Sequence, residues 1–74
     1  LGDINNAIDA YKDAVKNSNN EFTAPRYMMK LAMTYELNDD YANALDIYKA
    51  IKSDFKDSRE AAGIEKYISR AENK

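Results

Sequence analysis

Residues 44–49 of the chain read ALDIYK and residues 7–12 read AIDAYK, which places the two stretches 44 − 7 = 37 positions apart. In both, an alanine, a branched aliphatic residue, an aspartate, a tyrosine and a lysine follow at the same spacing. Apolar residues three and four positions apart share one face of an α-helix. A helix pattern that recurs within one chain is typical of folds in which similar units stack. The two stretches therefore predict equivalent helices in successive units.

The rest of the chain has the same helical spacing, and only two glycines and one proline interrupt it. The alternation of apolar and polar residues that marks a strand is missing. We predict an all-α fold of about four helices, over residues 3–17, 24–37, 40–53 and 58–72. The few residues between the second and third helices allow only a tight turn, which makes these helices antiparallel.

Local signals mark the helix ends. Asp3, Thr23 and Ser58 are predicted N-caps, because a short polar side chain there can accept hydrogen bonds from the first-turn amides. Pro25 lies in the first turn of the second helix, the place in a helix that accepts proline. The pair at residues 39–40 is interpreted as a cap of the third helix and not as a cation site, since the glycine and terminal glutamate of a calcium-binding loop are missing.

The composition excludes several classes of function. The chain has no cysteine and no histidine, so it lacks thiolate and imidazole metal ligands and the commonest general base. We therefore expect no cofactor, no metal site and no catalytic residue. The 11 basic and 13 acidic residues are interspersed, which leaves no basic patch for nucleic acid. No apolar run approaches the roughly 20 residues that span a bilayer, so we expect no membrane insertion by this segment.

Residues 25–51 resemble the tetratricopeptide repeat family, whose unit is a pair of antiparallel helices in about 34 residues. The resemblance is carried by Leu31, Ala32 and Tyr35 in the first helix and by Tyr41, Ala44, Leu45, Tyr48 and Ile51 in the second. It implies a right-handed solenoid of helical hairpins, in one domain over residues 1–74. Residues 1–20 would be the second helix of a partial repeat, residues 24–54 one full repeat, and residues 58–74 a capping helix.

Three features depart from the family pattern. Met28 stands where the family has tryptophan or tyrosine, and Asn19 and Lys56 lie near positions where the family usually has proline. The linker before Pro25 is longer than the family's by about three residues.

The resemblance implies a non-catalytic scaffold for protein–protein interaction, in which the first helix of a hairpin faces a concave groove. Helix geometry then predicts that a partner peptide or helix is bound by Arg26, Met29, Lys30, Met33 and Glu36. Methionine suits such a groove because its side chain adapts to varied apolar partners. Met29 and Met33 are equally compatible with packing against a neighbouring helix of the parent protein.

Two alternatives to a partner-binding scaffold stay open at this level: a purely structural helical bundle, and a self-association module within a larger parent protein. An array that starts with a lone second helix leaves apolar surface uncovered. The predicted self-association surface would contact another copy or upstream helices, and it consists of Ile4, Ile8, Tyr11 and Val15.

The chain begins at Leu1 and not at an initiator methionine, so we expect it to be part of a longer protein. The turn FKDS at residues 55–58 and the final helix are similar to the C-terminal ends of bacterial cell-envelope tetratricopeptide proteins. That likeness implies a parent protein anchored in the membrane through an upstream segment, with a cytoplasmic protein as the alternative.

Overall fold

The computed structural model describes residues 3–18 and 20–74, and within these residues it contains five helices and no strand. In chain order the helices are α1 (Asp3–Lys16), α2 (Ala24–Leu37), α3 (Tyr41–Asp54), α4 (Arg59–Ala62) and α5 (Ile64–Glu72). The predicted all-α fold is confirmed, and α1, α2 and α3 begin and end within one residue of their predicted limits. Predictions that concern Leu1, Gly2 and Asn19 lie outside the described residues.

The prediction of a single helix over residues 58–72 is wrong. The helix ends at Ala62 and resumes at Ile64, because Gly63 has φ −115° and ψ 16°, outside the helical region. Glycine is the poorest helix former after proline, yet the apolar spacing continues across it to Ile64 and Ile68. Apolar spacing alone therefore gives no sign of this change in the backbone.

Two of the predicted caps are confirmed. The Asp40 side chain accepts a hydrogen bond from the Asn43 amide at 3.4 Å at the start of α3. The Ser58 hydroxyl accepts one from the Ala61 amide at 3.1 Å at the start of α4. Asp39 has φ 60°, in the left-handed region that aspartate tolerates better than most residues. This conformation lets the chain reverse between α2 and α3.

The other two caps differ from the prediction. Asp3 lies inside the first turn of α1 and not before it. Thr23 precedes α2, but its side chain caps no amide, since its backbone is helical (φ −92°, ψ −34°) and a capping residue needs an extended one. Asn20 accepts instead: its side-chain oxygen lies 2.9 Å from the Phe22 amide nitrogen and 2.8 Å from that of Thr23. Pro25 lies in the first turn of α2, as predicted.

The helices pack in series, α1 against α2, α2 against α3, and α3 against α5. Principal extents of 35 × 31 × 14 Å describe a flat molecule. The core follows the series, and Ala32 and Ala44 have no exposed surface where α2 and α3 approach each other. Small side chains at these positions let the two helix backbones come close. The buried hydrophobic cluster consists of Ile8, Leu31, Ala32, Tyr35, Ala44, Tyr48, Ile51, Ile64, Ile68 and Ala71.

Candidate functional site

The five residues of the predicted groove all lie on α2, but they do not line one cavity. Arg26 and Lys30 are exposed, Met33 is 44% exposed, and Met29 and Glu36 are half-buried. Met29 packs in part against the core. Arg26 lines a cavity beside the connection from α3 to α4, whereas Met33 and Glu36 line a cavity that extends to α5. The residues of the predicted groove therefore lie at two separate places, one beside the connection from α3 to α4 and one beside α5.

The cavity at Met33, called the α2–α5 notch below, has a volume of about 300 Å³. It is lined by Met33, Glu36, Leu37, Tyr41, Arg70 and Lys74. Leu37 is 74% exposed and follows Met33 by about one helical turn. Neighbouring exposed apolar side chains in a concavity with a charged rim are typical of binding sites.

Sequence reasoning missed four residues of the notch. Leu37 could have been found, because it lies four positions after Met33 and so shares its helix face. Tyr41 carries part of the family resemblance but was not predicted to contact a partner, and it is half-buried. Arg70 and Lys74 come from the end of the chain, and nothing in local spacing relates them to α2. Only the packing of α5 onto α3 brings them there.

Glu36 joins three helices through its carboxylate. The Tyr48 hydroxyl of α3 donates a hydrogen bond to Glu36 Oε1 at 2.5 Å. Arg70 of α5 donates from Nη2 to Oε1 at 2.7 Å and from Nε to Oε2 at 3.2 Å. The Arg70 guanidinium also lies 4.9 Å from the ring centroid of Tyr67, whose ring lies 5.4 Å from that of Tyr48. A residue predicted to contact a partner is therefore engaged within the chain.

The network shifts the ionisation of its members. Burial alone would raise the pKa of Glu36, but the hydrogen bonds from Arg70 and Tyr48 outweigh it, so this pKa lies below its ordinary value of 4.5. Burial, followed by the hydrogen bond to Glu36, raises the pKa of Tyr48. The bond to Glu36 raises the pKa of Arg70. At neutral pH the carboxylate, the phenol and the guanidinium all hold the forms that the three hydrogen bonds require.

The residues of the predicted self-association surface pack largely within the chain. Ile8 is 7% exposed and belongs to the core. Ile4, Tyr11 and Val15 are half-buried against the same core. The surface of α1 that stays open to an outside contact is therefore narrower than the four side chains predicted from the sequence.

The two copies of the repeated hexapeptide differ in burial. Ala44 and Tyr48 have no exposed surface, whereas Ala7 and Tyr11 are half-exposed. α1 packs on α2, and α3 packs on α5, but α3 is also covered by α2. Within the described residues α1 packs chiefly against one helix, which accounts for the difference.

Residues 3–18 and 20–74, which the structure describes, contain no group of three or more histidine, cysteine, aspartate or glutamate side chains that could hold a metal ion. Each of their buried side-chain nitrogen and oxygen atoms has a hydrogen-bond partner. None of their helices has the length and apolar character needed to cross a membrane.

A comparison with protein families matches residues 26–58 to the model described as Tetratricopeptide repeat. No curated protein and no solved structure matches the chain. The matched residues contain almost all of α2, the whole of α3 and the turn that reaches Ser58. Repeats of this family are modules of protein–protein interaction. The hairpin of α2 and α3 is therefore a tetratricopeptide repeat, and α1 and α5 pack on its two sides in an all-α fold of the same kind.

Proposed function

We propose that the chain is a non-catalytic scaffold that binds a peptide or helix of another protein along α2, with the α2–α5 notch as the centre of its binding surface. The observation that carries this proposal is the exposure of Met33 and Leu37, 44% and 74%, in one cavity. Apolar side chains of this size gain free energy when a partner removes them from water. Arg26, Met29, Lys30, Met33 and Glu36 form the α2 side of the surface.

The members of the notch have different roles in this proposal. Met33, Leu37 and Tyr41 supply apolar contact, and the flexible methionine adapts to the partner's shape. Glu36 positions Arg70, and so fixes the separation of α2 and α5 before a partner arrives. A surface that is already in its binding conformation loses less entropy on association.

The absence of catalysis is part of the same proposal. The chain has neither histidine nor cysteine, and the carboxylate of Glu36 forms an ion pair with Arg70. A general base works best with a pKa near the operating pH, and the pKa of Glu36 lies below its ordinary value of 4.5. We further propose that α1 is the second helix of a partial repeat and that residues 58–74 cap the array.

Site-specific photo-crosslinking in cells tests the binding surface in the full-length protein. A photo-crosslinking amino acid is placed at Met33 or Leu37, and at Asp46, an exposed position of α3, as the matched control. We expect the same covalent adduct from positions 33 and 37 and none from position 46. Equal adducts at all three positions, or none at 33 and 37, would contradict the proposal.

A second candidate function is self-association through α1, supported by the half-buried apolar side chains of Ile4, Tyr11 and Val15. Light scattering over a wide range of concentration tests it, with Tyr11→Ser as the variant. A mass that rises with concentration and no longer rises in Tyr11→Ser supports the candidate. A strict monomer with a cooperative melt excludes it. A bacterial envelope location of the parent protein stays a prediction.

A further inference from the structure

The chain has two phenylalanines, and both lie at the same edge of the molecule. Phe22 belongs to the connection from α1 to α2, and Phe55 ends α3. Two cavities, of about 410 and 450 Å³, adjoin them. The residues that line both cavities are Glu21, Phe22 and Phe55, and they are called the phenylalanine edge below. The α2–α5 notch shares no lining residue with either cavity.

Phe22 is 81% exposed, although the backbone around it is held by several hydrogen bonds. The Asn20 side chain accepts from the Phe22 and Thr23 amides, and the Ser18 and Thr23 hydroxyls lie 2.5 Å apart. The Ala24 amide donates to the Asn20 carbonyl at 3.1 Å. Residues 20–24 are therefore linked by hydrogen bonds, and they present an aromatic ring to solvent. Rigid aromatic side chains in such a setting are frequent anchors of protein interfaces.

The length of this connection also needs an explanation. The internal offset of 44 − 7 = 37 positions exceeds the usual repeat length of about 34 residues. The connection between α2 and α3 needs only residues 38–40, whereas residues 17–23 separate α1 from α2. The additional residues lie in the segment that carries Phe22. Loops fixed on a helical scaffold commonly carry binding residues.

The charges at the phenylalanine edge indicate what kind of partner would bind there. Glu21 is the single charged residue that lines both cavities, and none of the described residues forms an ion pair with it. The six further charged residues of the 410 Å³ cavity balance, since three are basic and three are acidic. A cation beside an apolar side chain would complement the Glu21 carboxylate and the two rings. A second copy fits less well, because a two-fold interface centred on Phe22 would bring two Glu21 carboxylates together.

We propose that the phenylalanine edge is a second docking surface, which takes a segment of another protein that carries an apolar side chain next to a lysine or arginine. Phe22 and Phe55 contact the apolar side chain, and Glu21 pairs with the cation. This surface shares no lining residue with the α2–α5 notch, although Arg26, in the α2 part of the first binding surface, also lines the 410 Å³ cavity.

A random dodecapeptide library displayed on phage tests the proposal with the 74-residue chain. The library is selected on the wild type and counter-selected on Phe22→Ser. Because Phe22 is largely exposed, this variant is expected to keep the wild-type melt by circular dichroism. We expect the enriched peptides to share an apolar residue adjacent to lysine or arginine.

The affinity of the most enriched peptide separates this surface from the notch. We expect the dissociation constant to rise about tenfold or more in Phe22→Ser and severalfold in Glu21→Gln. It should stay unchanged in Leu37→Ser, the control in the notch. No enrichment, or enrichment of acidic peptides, would overturn the proposal. So would a peptide released by Leu37→Ser and not by Phe22→Ser, although that result would support the notch. Self-association lost in Phe22→Ser would instead identify a second copy as the occupant.

Discussion

Glu36 shows how one carboxylate can hold three helices together. It lies on α2, and it accepts hydrogen bonds from Tyr48 on α3 and Arg70 on α5. Its side chain is 12% exposed, whereas the side chain of Arg70 is 45% exposed. Loss of the carboxylate would leave the fully buried Tyr48 with an unpaired hydroxyl, and an unpaired buried polar group costs more than the hydrogen bond itself contributed.

Glu36→Gln tests the strength of this network. The amide keeps the size of the side chain but removes the charge, so we expect the free energy of unfolding to fall by about 1–2 kcal/mol. The partial exposure of Arg70 keeps the value below that of a fully buried pair. Glu65→Gln, which breaks the exposed pair with Lys52, is the control and should cost less than about 0.5 kcal/mol. Equal losses in urea unfolding of the two variants would contradict the prediction.

The same carboxylate makes stability depend on pH. Since the pKa of Glu36 is lower in the folded chain than its ordinary value of 4.5, its contribution is complete above that value. It is lost as the pH falls through the lower, folded pKa. The difference in unfolding free energy between wild type and Glu36→Gln should therefore be constant well above pH 4.5 and shrink as the pH falls below that value. A difference that stays constant or grows on acidification would disprove the assignment.

At the scale of helices and turns, the sequence predicts what depends on near neighbours. Spacing and Pro25 place α2, and Asp40 marks the start of α3, because both signals act within one turn of the helix. The break at Gly63 is not predicted from the sequence, because the apolar spacing continues through it. The same limit applies to the residues of the notch. The place of Met33 can be predicted from the helix face of α2, whereas Arg70 reaches the notch only through tertiary packing.

Gly63→Ala tests whether the break between α4 and α5 needs glycine. A β-carbon at Gly63 would meet nothing within 4 Å, and its φ of −115° is accessible to alanine. Alanine restricts the unfolded chain, so we expect the free energy of unfolding to rise by about 0.4–1 kcal/mol. Ala62→Gly, at the exposed neighbouring position, should lower the free energy of unfolding by a similar amount. Thermal unfolding of both variants gives the signs, and a destabilised Gly63→Ala would show that the break is required.

For the whole molecule, the decisive property is the serial packing of its helices. α3 is covered by α2 and by α5, whereas α1 packs chiefly against α2 within the described part of the chain. Equivalent positions of the repeated hexapeptide therefore differ in how tightly other residues pack around them. Their sequences are nearly the same, so this difference depends on position in the stack and not on residue type.

Valine at the two equivalent alanines measures that difference. Ala44 has no exposed surface, so Ala44→Val adds two methyl groups within the packed core, on a helix that contacts both α2 and α5. We expect this to lower the free energy of unfolding by about 1–3 kcal/mol. Ala7 is half-exposed, and Ala7→Val should change the free energy of unfolding by less than about 0.5 kcal/mol. The two variants are compared by urea unfolding. Similar losses would indicate that α1 and α3 are equally enclosed.

The one-sided packing of α1 also has a consequence for motion. In a linear array each element is stabilised by its immediate neighbours, and elements at the margin open at a lower free energy than those in the middle. Backbone amides of α1 should therefore exchange with deuterium sooner than those of α3, while the central hairpin remains closed. Anything that covers the outer side of α1 would slow this exchange first, and the gradient of protection along the chain would flatten.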